Sequence, residues 1–458
     1  MNRDLDSAAA LPASAPQRVD HRAVAGVLIA VALSTLDTAI ANTALPTIAA
    51  DLHASPAASV WVINAFQLAV VATVLPLAAL GDIIGHRRVY IGGLVLFTLA
   101  SLACALAPTL VALSVARALQ GAGAAGIMAV NIALLRFIYP PARLGRGMGL
   151  NALVGGASFS VGPTIASLIL SVGSWPWLFA INVPLGLFAI AIAIPSLPRS
   201  PRGTHRLDVV AVLLNIGAFA ALILALGAAG QRAPFAVWSS ALAVAVVLGA
   251  LLIRRERGIA TPIVPVDLYR NPAFTLSALT GICSFTTQGL ALVSLPFFFE
   301  GVLHRDPVQT GFLLAPWSIV VALAAPLAGR LSDRHPPGLL GGIGLAVLAV
   351  GMASLALLPA DPGIPDIVLR MAVCGAGFGF FQSPNLRALM SAAPPERSGG
   401  ASGTIATSRL LGQSTGAALT AFCLSIGGVR GATYALWLGA AFALVASVVS
   451  TLRLAVPK

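Results

Sequence analysis

Asp37 stands near the middle of the apolar stretch Ala23 to Leu45, inside Leu36-Asp37-Thr38-Ala39-Ile40-Ala41-Asn42-Thr43-Ala44-Leu45-Pro46. A stretch of that length is enough to cross a bilayer. A carboxylate at the centre of a membrane helix costs at least ~2.5–3.5 kcal/mol, so it must face a cavity, a partner or a proton path. Of the chain's 15 acidic residues, Asp37 is the only one placed deep inside such a stretch. Its counterpart is Arg117, which opens Arg117-Ala118-Leu119-Gln120-Gly121-Ala122-Gly123-Ala124-Ala125-Gly126. Arg117 lies roughly nine residues, some ~13 Å at helical rise, from the outer end of its stretch. There it needs an acceptor or water, unless it snorkels to the interface. Desolvation favours the protonated carboxyl and a nearby guanidinium the ionised one. In balance they would let Asp37 load a proton from one face and release it to the other.

A second constellation is Ala78-Ala79-Leu80-Gly81-Asp82-Ile83-Ile84-Gly85-His86-Arg87-Arg88, matched later by Gly329-Arg330-Leu331-Ser332-Asp333-Arg334. Small residues let helices approach closely. Asp82, Gly85, Arg87, Arg88, Asp333 and Arg334 form a candidate charge latch that holds one conformation of a rocking pair. The bland alternative is an ordinary loop carrying topology-setting charge. Gly155, Gly156, Gly162 and Pro163 share one stretch, and proline inside a helix kinks it. They are a candidate hinge, or a tight packing face. Asn42, Asn64, Gln67, Gln120, Gln288, Gln382 and Asn385 are candidate cavity residues, although amides in membrane helices also serve as bonds between helices. Arg409 and Gln413 read as such bonds. Gly121 to Gly126 matches G-x-G-x-x-G, but no strand precedes it and no acidic residue follows at the needed distance, so dinucleotide binding is rejected.

The elements that must position these groups follow from composition. The 458 residues are 58% hydrophobic and only 9% charged, with mean hydropathy +0.93. Soluble domains carry roughly 25% charged residues, so this is an integral membrane protein. Apolar runs of ~20 residues exclude an outer-membrane barrel. Fourteen candidate spans run from 23–43 to 430–452. Net charge is +12, but the basic residues sit in short loops rather than in blocks interleaved with aromatics, which excludes nucleic acid. One set of loops with both tails holds 20 Arg and Lys; the other holds Arg232, Arg305 and Arg430. That asymmetry places both termini in the cytoplasm. Gly121-Ala122-Gly123 recurs as Gly375-Ala376-Gly377, and at the same offset Gly162 recurs as Gly416. This is a parallel repeat of two halves. The expected units are a cytoplasmic tail (1–22), a six-helix half (23–197), an inserted two-helix segment with its loops (198–272) and a second six-helix half (273–458). Cys104, Cys283, Cys374 and Cys423 lack metal or pairing spacing. Walker A and H-E-x-x-H are absent, and no enzyme activity, metal or cofactor is expected.

With these motifs the chain resembles the major facilitator superfamily, and within it the fourteen-helix drug:proton antiporter family, over about residues 23 to 452. Asp37 to Pro46 is similar to that family's first-span motif. The segment around Asp82 and Arg87 is similar to the loop 2–3 motif, and Gly162-Pro163 with the glycines before it resembles the antiporter motif of span five. Departures include Ala78, Ile83 and His86 in the loop motif and Ala166-Ser167 after Gly162-Pro163. The resemblance implies an all-α membrane fold of two six-helix halves plus two inserted helices. It also implies an inner-membrane antiporter exchanging protons for amphipathic, cationic drugs, with antibiotic resistance as the outcome. Asp37 would be the proton or substrate carboxylate and Arg117 the modulator of its protonation. The alternative is an exporter of one neutral or anionic metabolite. Either would work as a monomer, with only substrate, protons and lipid as partners.

Overall fold

In the computed structural model, residues 19–140, 144–199, 208–230, 232–256, 266–332, 334–394 and 398–455 are described. Fourteen long helices occur among the described residues. The first six are α1 (His21–Thr43), α2 (Trp61–Ile84), α3 (His86–Ala105), α4 (Leu110–Ile138), α5 (Leu144–Val172) and α6 (Asn182–Ser196). Next come α7 (Val209–Gly230) and α8 (Phe235–Glu256). The last six are α9 (Pro272–Phe297), α10 (Pro307–Leu331), α11 (Pro337–Ala356), α12 (Ile364–Ser391), α13 (Ser398–Gly427) and α14 (Gly431–Leu452). No strand occurs among the described residues. By length and hydropathy 12 helical stretches are able to cross a membrane. One of these, Thr404–Ala455, is broken at Gly428–Arg430 into α13 and α14, and the bent α5 supplies a further span, which brings twelve to fourteen.

Helix ends are set by local chemistry. Asp20 caps α1 through the Arg22 and Ala23 N–H groups, Thr109 caps α4 through Ala112 N–H, and Asp306 with Pro307 starts α10. Gly85 separates α2 from α3 by a single residue at φ 104°. L side chains rarely adopt that conformation, which accounts for glycine at this point of the loop motif.

The two halves repeat in space as they do in sequence. A Cβ on Gly121 would lie 2.3 Å from the Phe66 carbonyl oxygen of α2; one on Gly375 would lie 2.3 Å from that of Trp317 in α10. Gly123 and Gly377 each press on a backbone nitrogen at 2.4 Å, of Phe97 in α3 and Leu348 in α11. The repeated glycines therefore mark equivalent close crossings, where any side chain would push the helices apart.

The inserted helix α7 docks on α2 through a proline. Pro76 lacks an N–H, so the Ala72 carbonyl one turn earlier loses its helical donor. Asn215 of α7, fully buried, donates Nδ2 to that carbonyl at 3.0 Å. At the far end of α7, Gly230 packs against the Ala418 carbonyl of α13, so the inserted pair touches both halves.

Candidate functional site

Asp37 is 1% exposed and ringed by donors. Arg117 Nη1 lies 2.5 Å from its Oδ2, while Gln120 Nε2 and Asn182 Nδ2 donate to Oδ1 at 2.8 and 2.7 Å. Three donors fill most of the roughly four acceptor sites a carboxylate offers. Arg117, also 1% exposed, donates Nη1 to Gln120 Oε1 at 2.5 Å and Nε to the Val62 carbonyl at 3.2 Å. Its guanidinium lies 4.3 Å from the Phe66 ring centroid and 5.5 Å from that of Phe179. Arg117 is thus buried and paired, not snorkelling. Gln120 Nε2 also donates to Ser101 Oγ at 2.8 Å. The network ties α1 to α3, α4 and α6 inside the first half. At the repeat offset the place of Arg117 is taken by Met371, and Arg370 pairs with Asp366 on its own helix at 2.8 Å. Among the described residues, a fully buried carboxylate–guanidinium pair occurs in the first half and not in the second.

A cavity of about 430 Å³ lies between the halves. Its walls come from α1, α4, α5, α9, α10, α12 and α13. Ser34 and Thr35 line it from α1, whereas Asp37 of the same helix is not in the wall. Phe159, Phe285, Trp317 and Phe378 supply aromatic surface; Gln288, Gln382 and Gln413 supply amides; Arg409 supplies the only charge among the described lining residues. Asn131 Nδ2 donates to Asn151 Oδ1 at 2.9 Å within the wall, and Gln413 Nε2 donates to Gln288 Oε1 at 2.9 Å. The lining positions lie in the half of each helix nearest the termini, or at its middle. On the far side the halves meet: Ser167 Oγ of α5 donates to the Pro307 carbonyl at 3.2 Å, and Gly311 of α10 sits against Ser167 and the Pro163 carbonyl. The halves touch there, and the cavity lies towards the side of the start of α1 and the end of α14.

The structure distributes the sequence candidates over several places. Gln288 and Gln382 line the main cavity. Asn42 and Gln67 border a neighbouring crevice of about 10 Å³, with room for about one water, and Gln67 Oε1 accepts from Ser414 Oγ across the halves at 2.9 Å. Gln120 belongs to the Asp37 network. Asn64 is buried outside these pockets, and Asn385 bridges Arg453 Nη1 at 2.9 Å to the Ser277 carbonyl at 3.2 Å. Gly155 and Gly156 line the cavity; α5 bends by 40° between its segments 153–159 and 161–172. A Cβ on Gly162 would come 2.4 Å from Ala39 Cβ, so the glycine sets the α1–α5 crossing. Of the latch residues, Asp82 is exposed and lies 3.1 Å from His86 Nε2, not against an arginine. Arg87 Nη2 donates to the Ile194 carbonyl in the last turn of α6, capping that helix end within the same half. Arg88 and Arg334 are exposed, and Asp333 lies outside the described residues. Four residues central to the geometry were not singled out as site residues from sequence. Asn182 and Ser101 are short polar side chains in apolar runs, and Arg409 and Gln413 stand one helical turn apart on α13, a spacing that shares one face.

A charge network buried in one half, beside a cavity shut at one end between two equivalent halves, defines a helical membrane transporter. The family model described as Major Facilitator Superfamily matches twice, over residues 27–211 and 209–417. The chain belongs to that superfamily. It is 48% identical to the uncharacterized transporter YebQ of Escherichia coli (strain K12), over 97% of each chain. It is 29% identical to the riboflavin transporter RibZ of Clostridioides difficile (strain 630), over 86% of this chain and 85% of that one. It is 30% identical to the multidrug resistance protein Stp of Mycobacterium tuberculosis, over 88% and 74%. Among solved structures it superposes on a bacterial homologue of the human lysosomal transporter Spinster, with TM-score 0.68, 14% identity and coverage of 94% and 96%. That likeness shows the fold alone.

Proposed function

We propose that this chain is a proton-driven efflux antiporter of the inner membrane, with both termini cytoplasmic, that exports amphipathic organic compounds as a monomer. The observation that carries the reading is the placing of Asp37 on α1: the carboxylate faces α4 and α6, while Ser34 and Thr35 of the same helix face the cavity. A proton arriving at Asp37 removes its charge and with it the ion pair to Arg117. The tie from α1 to α4 and α6 weakens, and α1 becomes free to shift. Because α1 crosses α5 at Ala39–Gly162, and α5 meets α10 at Ser167–Pro307, a shift of α1 bears directly on the closed end. Proton and substrate thus compete for the position of one helix rather than for one pocket. Asp82, Gly85, Arg87, Arg88, Asp333 and Arg334 act as the latch that forms when the cytoplasmic side closes. In this structure Arg87 bonds inside its own half instead, which supports a latch made in another conformation.

Export rather than import is supported by the antiporter-like glycines of α5, and a relative named for multidrug resistance fits that direction. The expectation of a cationic substrate came from the family resemblance, with Asp37 as the carboxylate that would meet it. With Asp37 behind the wall, the geometry favours the other sequence reading, a neutral or anionic compound. The test is purified protein in liposomes, with internal pH followed by a trapped dye while candidate compounds are moved by an imposed gradient. Substrate-dependent proton counterflow that vanishes in Asp37→Asn is the expected result. Compound movement without proton movement, or undiminished counterflow in Asp37→Asn, would refute coupling at this carboxylate.

A further inference from the structure

We infer that Arg409 is the substrate-charge receptor, and that the compound carried is an amphipathic organic anion: a flat aromatic body bearing one carboxylate or similar acidic group. This deepens the transport reading above and rests on it only for the claim that the cavity is the substrate site. Arg409 lies eleven residues into α13 from Ser398, roughly 16 Å at 1.5 Å per residue, which is too deep to snorkel to the nearer end. It lines the cavity, and none of the ion pairs among the described residues includes it. The other deep arginine, Arg117, has a carboxylate, a carbonyl, an amide oxygen and two rings. Arg409 has no such set. A cation held at this depth without an internal partner is costly, and in membrane proteins such residues mark the path of the transported species.

The rest of the wall fits the same ligand. Phe285 and Phe378 stand edge to face at 5.8 Å, with Trp317 tilted against Phe378 at 6.4 Å, an arrangement that offers an aromatic flank to a planar ring. Gln413, one turn from Arg409 on the same face, and Gln382 on α12 add amides to the same wall. The deep acid that would attract a cation is Asp37, whose two oxygens are already taken by Arg117, Gln120 and Asn182. A cationic ligand entering the cavity would meet Arg409 unscreened by any wall carboxylate among the described residues. The volume of about 430 Å³ suits a ligand of two or three fused rings.

The experiment uses three probes of one shape: 2-naphthoate, 2-naphthamide and 2-naphthylmethylammonium. Binding to the purified full-length protein is measured by calorimetry in detergent. A hydrogen-bonded charge pair is worth ~1.5–3 kcal/mol, so the carboxylate should bind about ten- to a hundredfold more tightly than the ammonium. Arg409→Gln should abolish that preference, and Arg409→Lys should keep part of it while losing the fork geometry. Asp37→Asn should leave the preference intact, because Asp37 is not in the wall. Ammonium binding as tight as carboxylate binding, no carboxylate-selective binding by the wild type, or an unchanged preference in a folded Arg409→Gln protein would each overturn the proposal. Should Arg409→Gln not fold, the wild-type ranking of the three probes decides alone. Selective naphthoate binding without proton counterflow would leave this inference standing and remove proton coupling; counterflow with ammonium compounds only would do the reverse.

Discussion

Changing Asp37 to asparagine keeps the shape at the centre of the network but puts an amide where the guanidinium of Arg117 expects a carboxylate. Removing one partner of a buried ion pair costs ~3–5 kcal/mol, chiefly because the other charge stays buried without compensation. Arg117 keeps Gln120 Oε1, the Val62 carbonyl and the faces of Phe66 and Phe179, so the lower end, ~3 kcal/mol, is expected for Asp37→Asn. Arg117→Gln should cost a similar amount by leaving the Asp37 charge with two neutral amides. In the double variant neither charge remains. Its loss should be smaller than the sum of the single losses by at least ~2 kcal/mol, since replacing a whole buried pair is often close to neutral. The assay is unfolding in mixed micelles of increasing SDS fraction, followed by tryptophan fluorescence. Transport is measured alongside: the double variant should regain stability yet stay unable to couple export to a pH gradient, because no titratable group remains at the site. Stability losses that add within about 0.5 kcal/mol would refute the ion pair as a coupled unit. Gradient-driven export by the double variant would refute its role in coupling.

Other consequences are open to test. Asn215→Leu should loosen α7 from α2 by ~1–3 kcal/mol, the cost of an unsatisfied buried carbonyl; adding Pro76→Ala should recover much of it, because residue 76 then donates to Ala72, and a failure of rescue in SDS titration would exclude the proline-freed carbonyl as the cause. Gly162→Val places a side chain where a Cβ already meets Ala39 Cβ at 2.4 Å, so folded protein with under a tenth of wild-type transport is expected; near-normal transport would show that α1 and α5 need not stay in contact. Asp82→Asn should slow turnover while leaving probe binding within about twofold, because the residue lies at the rim and outside the cavity; weakened binding with normal turnover would contradict a latch. A reporter fused after Lys458 should be active only in the cytoplasm, as the loop charges require; periplasmic activity would reverse the assigned orientation.

Much of this protein is legible in its sequence, because the bilayer imposes rules that act on composition alone. Hydrocarbon leaves backbone groups no water, so apolar runs of span length must be helices. The Gly121 and Gly375 repeat announced two halves because glycine is required wherever helix backbones touch, and both copies do press on a neighbouring backbone. Asp37 and Arg117 stood out because charge at membrane depth has few explanations. What the sequence did not determine is which way each polar side chain faces. Asp37 and Ser34 are three residues apart on one helix, yet one is sealed behind the wall and the other lines the cavity. That difference depends on where α4 and α6 pack, not on any local preference. Asn182 and Arg409 look alike from sequence, each a polar residue in an apolar run. Only the packing of fourteen helices decides that Asn182 meets a carboxylate from a helix 145 positions away, while Arg409 meets open space. The burial of Asp37 and the exposure of Arg409 to the cavity are therefore facts of tertiary structure. They leave a positive charge, and no carboxylate, on the described cavity wall.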